Sequence, residues 1–123
     1  MPSDLFSVTR SDPALIVRLN GAMGMLELEA LDAQLAQIAD EKPQLVVVDL
    51  SAVEMIASSG MGSLIGFRRE VSQSGGAVVL AAATPPVGES LRRAFLHKLF
   101  KICATVPEAL ATAGSRGTPG NGG

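Results

Sequence analysis

The segment VVVDLSAVEMIASSGMGSL, residues 46–64, is the most informative for the architecture because it leads from a predicted strand into a predicted helix. Leu45–Leu50 is a continuous, valine-rich apolar run, typical of a strand that is buried on both faces of a sheet. Apolar residues recur at helical spacing from about Ser58 to Ser74, which predicts a helix. The residues between, Ser51–Ala57, are predicted to form a loop. A buried strand followed by a helix indicates a layered α/β domain.

Hydrophobic periodicity and turn residues divide the rest of the chain into further elements. Their order, β β α β α β α β α, predicts a single α/β domain with a mixed sheet of about five strands and about four helices. The first two strands are expected to form an antiparallel hairpin, and the helix-separated strands are expected to pair in parallel. The other predicted strands are Phe6–Arg10, Ala14–Asn20, Ala77–Ala83 and Phe100–Thr105, with a loop at Gly21–Met25. The other predicted helices are Leu26–Asp40, one that follows Thr84 and whose apolar positions Val87, Leu91, Phe95 and Leu99 step by four, and Pro107–Ala113.

Length and composition restrict the class of protein. The chain has 123 residues, of which 47% are hydrophobic, so we expect one folded domain over residues 1–113. Residues 114–123 are glycine-rich and are expected to form a flexible tail. A net charge of −2, the lack of an evident basic patch and only four aromatic residues argue against nucleic-acid binding.

The reactive residue types are few. The single Cys103 and the single His97 cannot form an internal disulfide or a Cys/His metal cluster, so no metal and no cofactor is expected. The N-terminus lacks a signal-peptide pattern, and the longest apolar run, Ala77–Ala83, is too short to span a membrane. We therefore expect a cytoplasmic protein without membrane insertion.

Motifs for catalysis or nucleotide binding are incomplete near Ser58. The serine-hydrolase motif G-x-S-x-G has Ile56 in place of its first glycine, and the only candidate base, His97, lies in a distant predicted helix. The dinucleotide motif G-x-G-x-x-G has Ile65 in place of its last glycine. Asp49 ends the central strand, where we expect its carboxylate to accept hydrogen bonds from loop amides and support the loop. No catalytic residue is predicted.

The start of the second helix carries Ser58, Ser59, Gly60 and Gly62, an unusual set because each interior glycine destabilises a helix by about 0.8 to 1 kcal/mol relative to alanine. A helix N-terminus has unpaired amides and a partial positive charge, so a phosphorylated serine there would be tolerated but would change what can dock. The glycines would let a partner approach the backbone. Alternatively, Ser58 caps the helix and the glycines pack it against the sheet. The residues alone leave both interpretations open.

Four segments of the chain resemble a known family. They are VVVDLSAVEMIASSGMGSL at 46–64, GGAVVL at 75–80, LHKLF at 96–100 and PEAL at 107–110. Over about Phe6 to Ala113, the chain resembles the STAS domain of bacterial anti-sigma-factor antagonists, also called anti-anti-sigma factors. The resemblance implies a STAS-like fold and a protein-binding regulator of transcription that is not an enzyme.

The resemblance also implies a partner-switching mechanism. An unmodified antagonist binds an anti-sigma factor serine protein kinase and thereby frees the sigma factor. The kinase then phosphorylates the antagonist at the position of Ser58, with Ser59 as the second choice, and a serine phosphatase reverses the modification. The family usually has aspartate before this serine, where this chain has Ala57. The alternatives are therefore an antagonist with altered switching, or a STAS accessory subunit of another complex, such as a lipid-transport ABC ATPase, without a phosphorylation switch.

The expected partner surface comprises the loop at 20–25, the segment Ser51–Ala57 and the start of the second helix. Methionines concentrate in these segments, and their adaptable side chains slightly favour a binding surface. The free protein is expected to be a monomer or a weak dimer. The residues expected to contact the partner are Ala22, Met23, Met55, Ser58, Ser59, Gly60, Met61 and Gly62.

Overall fold

The computed structural model describes residues 6–11, 13–24 and 28–112, which form a five-stranded sheet with helices on both faces. The strands lie in the order β1-β2-β3-β4-β5; β1 and β2 are antiparallel, and the other neighbouring pairs are parallel. The predicted fold class is confirmed. The strands are β1 Phe6–Ser11, β2 Ala14–Met23, β3 Leu45–Ile56, β4 Ala77–Ala81 and β5 Lys101–Cys103. The helices are α1 Leu28–Asp40, α2 Ser58–Gln73, α3 Pro85–Arg93 and α4 Val106–Ala111, with a 3-10 turn at Leu96–Lys98.

Both faces of β3 are buried, as its valine-rich sequence predicts. Val46, Val47 and Val48 are all inaccessible to solvent. Val46 and Val48 enter the larger hydrophobic cluster together with the apolar residues of α1, α2 and α3, whereas Val47 enters a smaller cluster with those of α4. Three helices therefore cover one face of the sheet and α4 covers the other.

Strands β2 and β3 run further than the sequence predicts. The predicted loops at 21–25 and 51–57 are instead strand as far as Met23 and Ile56, which are register partners. Met25 lies outside the described residues. The register shifts twice along this extension, where β3 has two more residues than β2, as in β-bulges. The bulges interrupt the alternation of apolar and polar side chains, so this segment does not read as strand in the sequence.

The third helix ends earlier than predicted. After α3, Phe95 adopts a left-handed conformation with φ 63°, and this turns the chain away from the helix axis. The first two apolar positions of α3 are buried, but the prediction that the helix continues with Phe95 and Leu99 at the same spacing is wrong, because α3 ends at Arg93 and both residues are exposed. Leu96 and Phe100 enter the core instead, since the turn places them against it.

The remaining boundaries differ slightly from the predicted ones. β4 ends at Ala81 because Ala82 leaves the strand with φ 62°, and β5 is shorter than predicted. Helix α2 ends before Gly75 and Gly76 as predicted: Gly75 has φ 90°, and a Cβ at Gly76 would overlap the carbonyl oxygen of Pro43. In the described part of the chain, no helix is long and apolar enough to cross a membrane. The predicted tail lies outside the described residues.

Candidate functional site

Helix α2 begins almost directly after β3, with Ala57 as the residue between them. Ala57 has an extended backbone and occupies the N-cap position, where its methyl side chain cannot accept a hydrogen bond. Its backbone N–H donates a hydrogen bond to the carbonyl oxygen of Met23 at 3.0 Å, which ties the helix start to the end of β2. Ser58 is therefore the first helical residue, and the interpretation of Ser58 as the helix cap is wrong.

The glycines of the first helical turn have different surroundings. Gly60 is buried, and a Cβ at this position would lie 2.7 Å from the carbonyl oxygen of Met23, a backbone atom that cannot move aside. Gly60 thus allows α2 to pack against β2, and the interpretation of Gly60 as clearance for a partner is wrong. A Cβ at Gly62 would meet nothing within 4 Å, and Gly62 is exposed. Gly62 therefore leaves the backbone of the helix start open.

The two serines of the helix start also differ. Ser58 is exposed. The Oγ of Ser59 is buried and has no hydrogen-bond partner within the described residues, while its carbonyl oxygen accepts a hydrogen bond from the hydroxyl of Ser63 at 3.3 Å. Of the first two hydroxyls of α2, that of Ser58 is the one on a solvent-exposed residue.

The second bulge of β3 presents two consecutive side chains to solvent. Val53 and Ile56 are buried, whereas Glu54 and Met55 between them are exposed. Successive residues of a regular strand point to opposite faces, so two exposed neighbours require the extra residue of the bulge. Met55 is 46% exposed and is the register partner of Ala22, which is also exposed. The sequence prediction does not name Glu54 as an individual contact residue. The interrupted alternation of apolar and polar residues at Glu54 and Met55 is the signal that indicates its exposure.

We call the exposed residues at this end of β2, β3 and α2 the helix-start surface. Met23 and Met61 do not belong to it, because they are only 1% and 8% exposed and lie in the larger hydrophobic cluster. The expectation that methionines here favour the surface is wrong for these two residues, which fill the space between β2 and α2. The helix-start surface consists of Ala22, Glu54, Met55, Ser58 and Gly62.

Asp49 lies on β3 just before the first register shift. It is half-buried, and its Oδ1 accepts a hydrogen bond from the backbone N–H of Ser51 at 2.9 Å. The carboxylate therefore satisfies a backbone donor beside the bulge. This contact agrees with a structural role for Asp49, although the segment that it supports is strand and not loop.

The candidate catalytic groups of the described residues do not converge on Ser58. His97 lies in the 3-10 turn before β5, at the end of the sheet where the parallel strands begin, whereas Ser58 follows the end of β3. A serine nucleophile needs a base within hydrogen-bond reach, so this pair cannot form a catalytic dyad in this fold. Over residues 6–11, 13–24 and 28–112, no three His, Cys, Asp or Glu residues are grouped to hold a metal ion.

Cys103 is half-buried on β5. Burial raises the pKa of its thiol above the ordinary value; the charge of Lys101 acts in the opposite direction, and that of Glu108 adds a smaller increase. A raised pKa keeps the thiol protonated and weakly nucleophilic at neutral pH. Cys103 therefore lacks the chemistry of an activated cysteine.

Fold and site together define a small α/β domain with a mixed sheet. Among the described residues, its candidate site is an exposed surface where strand ends and a helix start meet, and not a group of converging catalytic side chains. The sequence model of the STAS domain matches residues 6–109. The chain belongs to the STAS domain family, which confirms the resemblance seen in the sequence.

Comparison with individual proteins gives the same family. The anti-sigma-F factor antagonist RsfB of Mycobacterium tuberculosis is 28% identical over 113 residues, covering 87% of this chain and 88% of RsfB. The crystal structure of an anti-sigma factor antagonist from Mycobacterium paratuberculosis superposes with a TM-score of 0.81 at 25% identity, over 87% of this chain and 91% of that one. The Bacillus cell fate determinant SpoIIAA in its phosphorylated form shares the fold, with a TM-score of 0.67 at 19% identity over 88% of this chain and 98% of its own.

Proposed function

We propose that this protein is an anti-sigma factor antagonist that binds an anti-sigma factor serine kinase through the helix-start surface and is released when the kinase phosphorylates Ser58. The relative RsfB is named as an anti-sigma-F factor antagonist. The observation that carries the proposal is the position of Ser58, which is exposed at the first residue of α2 and does not cap the helix. A serine phosphatase would return the protein to its binding state.

The environment of Ser58 suits a phosphate that switches docking without unfolding the helix. The first turn of α2 contains no acidic residue, so a phosphate of charge −1.5 to −2 would meet the positive end of the helix dipole without local repulsion from that turn. When the same surface is covered by a partner, however, the phosphate must lose its hydration, which costs several kcal/mol if no cation pairs with it. The modification is therefore compatible with the folded state and opposes the complex.

Ser58 is favoured over Ser59 as the modified residue. The Oγ of Ser59 is buried, so a kinase could reach it only after the first turn of α2 had opened. The side chains beside Ser58 suit a partner surface, because Met55 is exposed and adaptable and Gly62 leaves the backbone accessible.

A second candidate function is that of a STAS accessory subunit of another complex, such as a lipid-transport ABC ATPase, that docks through the same surface without phosphorylation. Ala57 is the observation that favours it. The family usually has aspartate at this position, and alanine removes a carboxylate directly beside Ser58. The two functions differ in whether Ser58 is modified.

The first experiment measures the modification. Incubation with the anti-sigma factor kinase and magnesium ATP should add one phosphate, which intact mass and peptide mass spectrometry should place on Ser58. Ser58→Ala should remain unmodified, whereas Ser72→Ala, at an exposed serine near the other end of α2, should be phosphorylated like the wild type. A wild-type protein that binds the kinase and stays unmodified would contradict the phosphorylation switch and indicate an antagonist with altered switching, whereas a protein that does not bind the kinase would favour the accessory-subunit function.

The second experiment measures the effect of charge on docking. Ser58→Asp should weaken the complex about a hundredfold, because an unpaired charge would be buried in the interface. Ser58→Ala should bind like the wild type and change the free energy of unfolding by less than about 0.5 kcal/mol, since Ser58 is not a cap. Ser72→Asp is the matched charge control and should bind normally. Equal affinities of Ser58→Asp and the wild type would contradict the switch.

A further inference from the structure

The turn that follows α3 exposes apolar side chains that a folded core would be expected to hide. We call residues 92–99 the Phe95 turn. Phe95 is 65% exposed, the largest value among the exposed large apolar residues, and Leu99 is 40% exposed. The ring of Phe95 has His97 as its aromatic neighbour, at 6.2 Å between ring centroids, and His97 is itself exposed. The turn therefore presents two large apolar side chains to solvent.

The backbone at Phe95 indicates that the exposed ring is not required by folding. Phe95 follows the C-cap residue Ala94 and has φ 63°, a position and conformation for which glycine is the usual residue. Its N–H donates to the carbonyl oxygen of Arg92 at 3.0 Å, a bond that glycine would make equally well. A bulky side chain in the left-handed region is strained and, where it is also exposed, gains little burial in return. An external contact is the simplest physical reason for phenylalanine here.

The Phe95 turn is cationic. Residues 92–99 include three Lys or Arg residues and no Asp or Glu. All three cations are exposed, and one of them, Arg93, also makes an exposed ion pair with Glu89 at 3.5 Å. They are Arg92, Arg93 and Lys98.

The Phe95 turn lies at the opposite end of the sheet from Ser58. The turn leads into β5, whose first residue Lys101 pairs with Val79 near the start of β4, whereas Ser58 follows the last residue of β3. Nine residues of β3 separate these two levels, about 30 Å along the strand direction. A partner on the helix-start surface would leave the Phe95 turn free.

We propose that the Phe95 turn docks this protein on an anionic lipid bilayer, with Phe95 and Leu99 entering the headgroup region and the surrounding cations facing the lipid phosphates. Aromatic and leucine side chains flanked by Lys and Arg are the combination that binds such interfaces. A protruding ring suits a fluid surface that closes around it, whereas a folded partner would need a matching pocket. The net charge of −2 does not oppose docking, because acidic groups farther away than about 10 Å are screened at 0.1 M salt, and the nearby Glu89 is paired with Arg93.

The test is vesicle flotation of the full chain with extruded vesicles of phosphatidylcholine and phosphatidylglycerol in equal amounts, at about 50 mM salt. The wild type should float with these vesicles, should not float with pure phosphatidylcholine, and should be released at about 0.5 M salt because screening removes the attraction. Arg92→Gln combined with Arg93→Gln should lower the partition coefficient about fivefold per charge removed. Val8→Ser, at an exposed apolar residue of β1, is the control and should bind normally.

Phe95→Gly separates docking from folding. It should lower the partition coefficient about tenfold and at the same time raise the melting temperature, since glycine takes the left-handed conformation without strain. Ser58→Asp should float like the wild type because the two surfaces are far apart. Failure of the wild type to bind anionic vesicles, or equal binding by Phe95→Gly, would overturn the proposal. So would self-association of the wild type in sedimentation that Phe95→Gly abolishes, since the turn would then bind a second copy of the chain.

Discussion

Two glycines of one helical turn show how the same residue type serves different purposes. Gly60 lies against the carbonyl oxygen of Met23 and sets how closely α2 approaches β2. Gly62 faces open space. Access of a partner to the helix backbone therefore remains a physical reason for glycine at this position. Since Ala57 also donates its N–H to Met23, the position of Ser58 relative to β2 depends on two contacts with one carbonyl group.

Substitution of the two glycines by alanine should have opposite effects on stability. Gly60→Ala places a methyl group 2.7 Å from the backbone oxygen of Met23 and should lower the free energy of unfolding by about 1 to 3 kcal/mol. Gly62→Ala meets no neighbour within 4 Å and should raise it by up to about 1 kcal/mol through helix propensity. Urea unfolding followed by circular dichroism measures both values. Equal effects of the two substitutions would contradict the different packing of the two glycines.

At the scale of elements, α2 begins without a side-chain cap. Ala57 has the extended backbone of an N-cap residue but no acceptor, so amides of the first turn depend on water or on a partner. The other uncommon features at this end are the bulges of β3, which turn Glu54 and Met55 outward together. The start of helix α2 and the end of β3 are therefore both irregular, and both irregularities lie at the helix-start surface.

Restoring the cap should stabilise α2. Ala57→Asp should raise the free energy of unfolding by about 1 kcal/mol, because the carboxylate accepts a hydrogen bond from the first turn and favours the positive helix end. Ala57→Asn supplies the same acceptor without charge and should give most of this gain. Urea denaturation of the three proteins at neutral pH measures both contributions. No gain from either variant would mean that the N-cap geometry at residue 57 is not as described.

At the scale of the whole molecule, the parallel strands separate two surfaces of different character. The helix-start surface lies at the end of β3, and the cationic, apolar Phe95 turn lies at the end where β5 begins. Between them lie the valines of β3, which are buried on both faces of the sheet. The proposed protein partner and the proposed bilayer would therefore contact opposite ends of the domain.

The stability of the whole domain should depend on the ionisation of Cys103. Burial raises the pKa of this thiol in the folded state, so from about pH 8 upward the unfolded chain loses its thiol proton first and the free energy of unfolding falls. Below this range both states are protonated and the contribution of the thiol is fully present. Urea unfolding at several pH values should therefore show a steeper decline for the wild type than for Cys103→Ala. Parallel pH profiles would contradict a raised pKa.

Much of the fold could be predicted because its signals are local. The valine-rich run of β3, the periodicity of α2 and Gly75-Gly76 at its end each place an element without knowledge of the rest of the chain. The position of Ser58 at the start of α2 could be predicted in the same way. The ends of β2 and β3 could not, because bulged strands lack the alternation on which the prediction depends.

The order of the elements, the mixed sheet, the STAS family and the serine at the start of α2 could all be read from the sequence, since hydrophobic periodicity, turn residues and a family motif are local features of the chain. Which neighbouring residues face solvent became evident in the folded structure. Met23, Ser59 and Gly60 differ from Met55, Ser58 and Gly62 in what packs against them and not in type. Burial depends on contacts between β2, β3 and α2, which are distant in sequence. For that reason, the solvent-exposed residues of the site could not be predicted from the sequence.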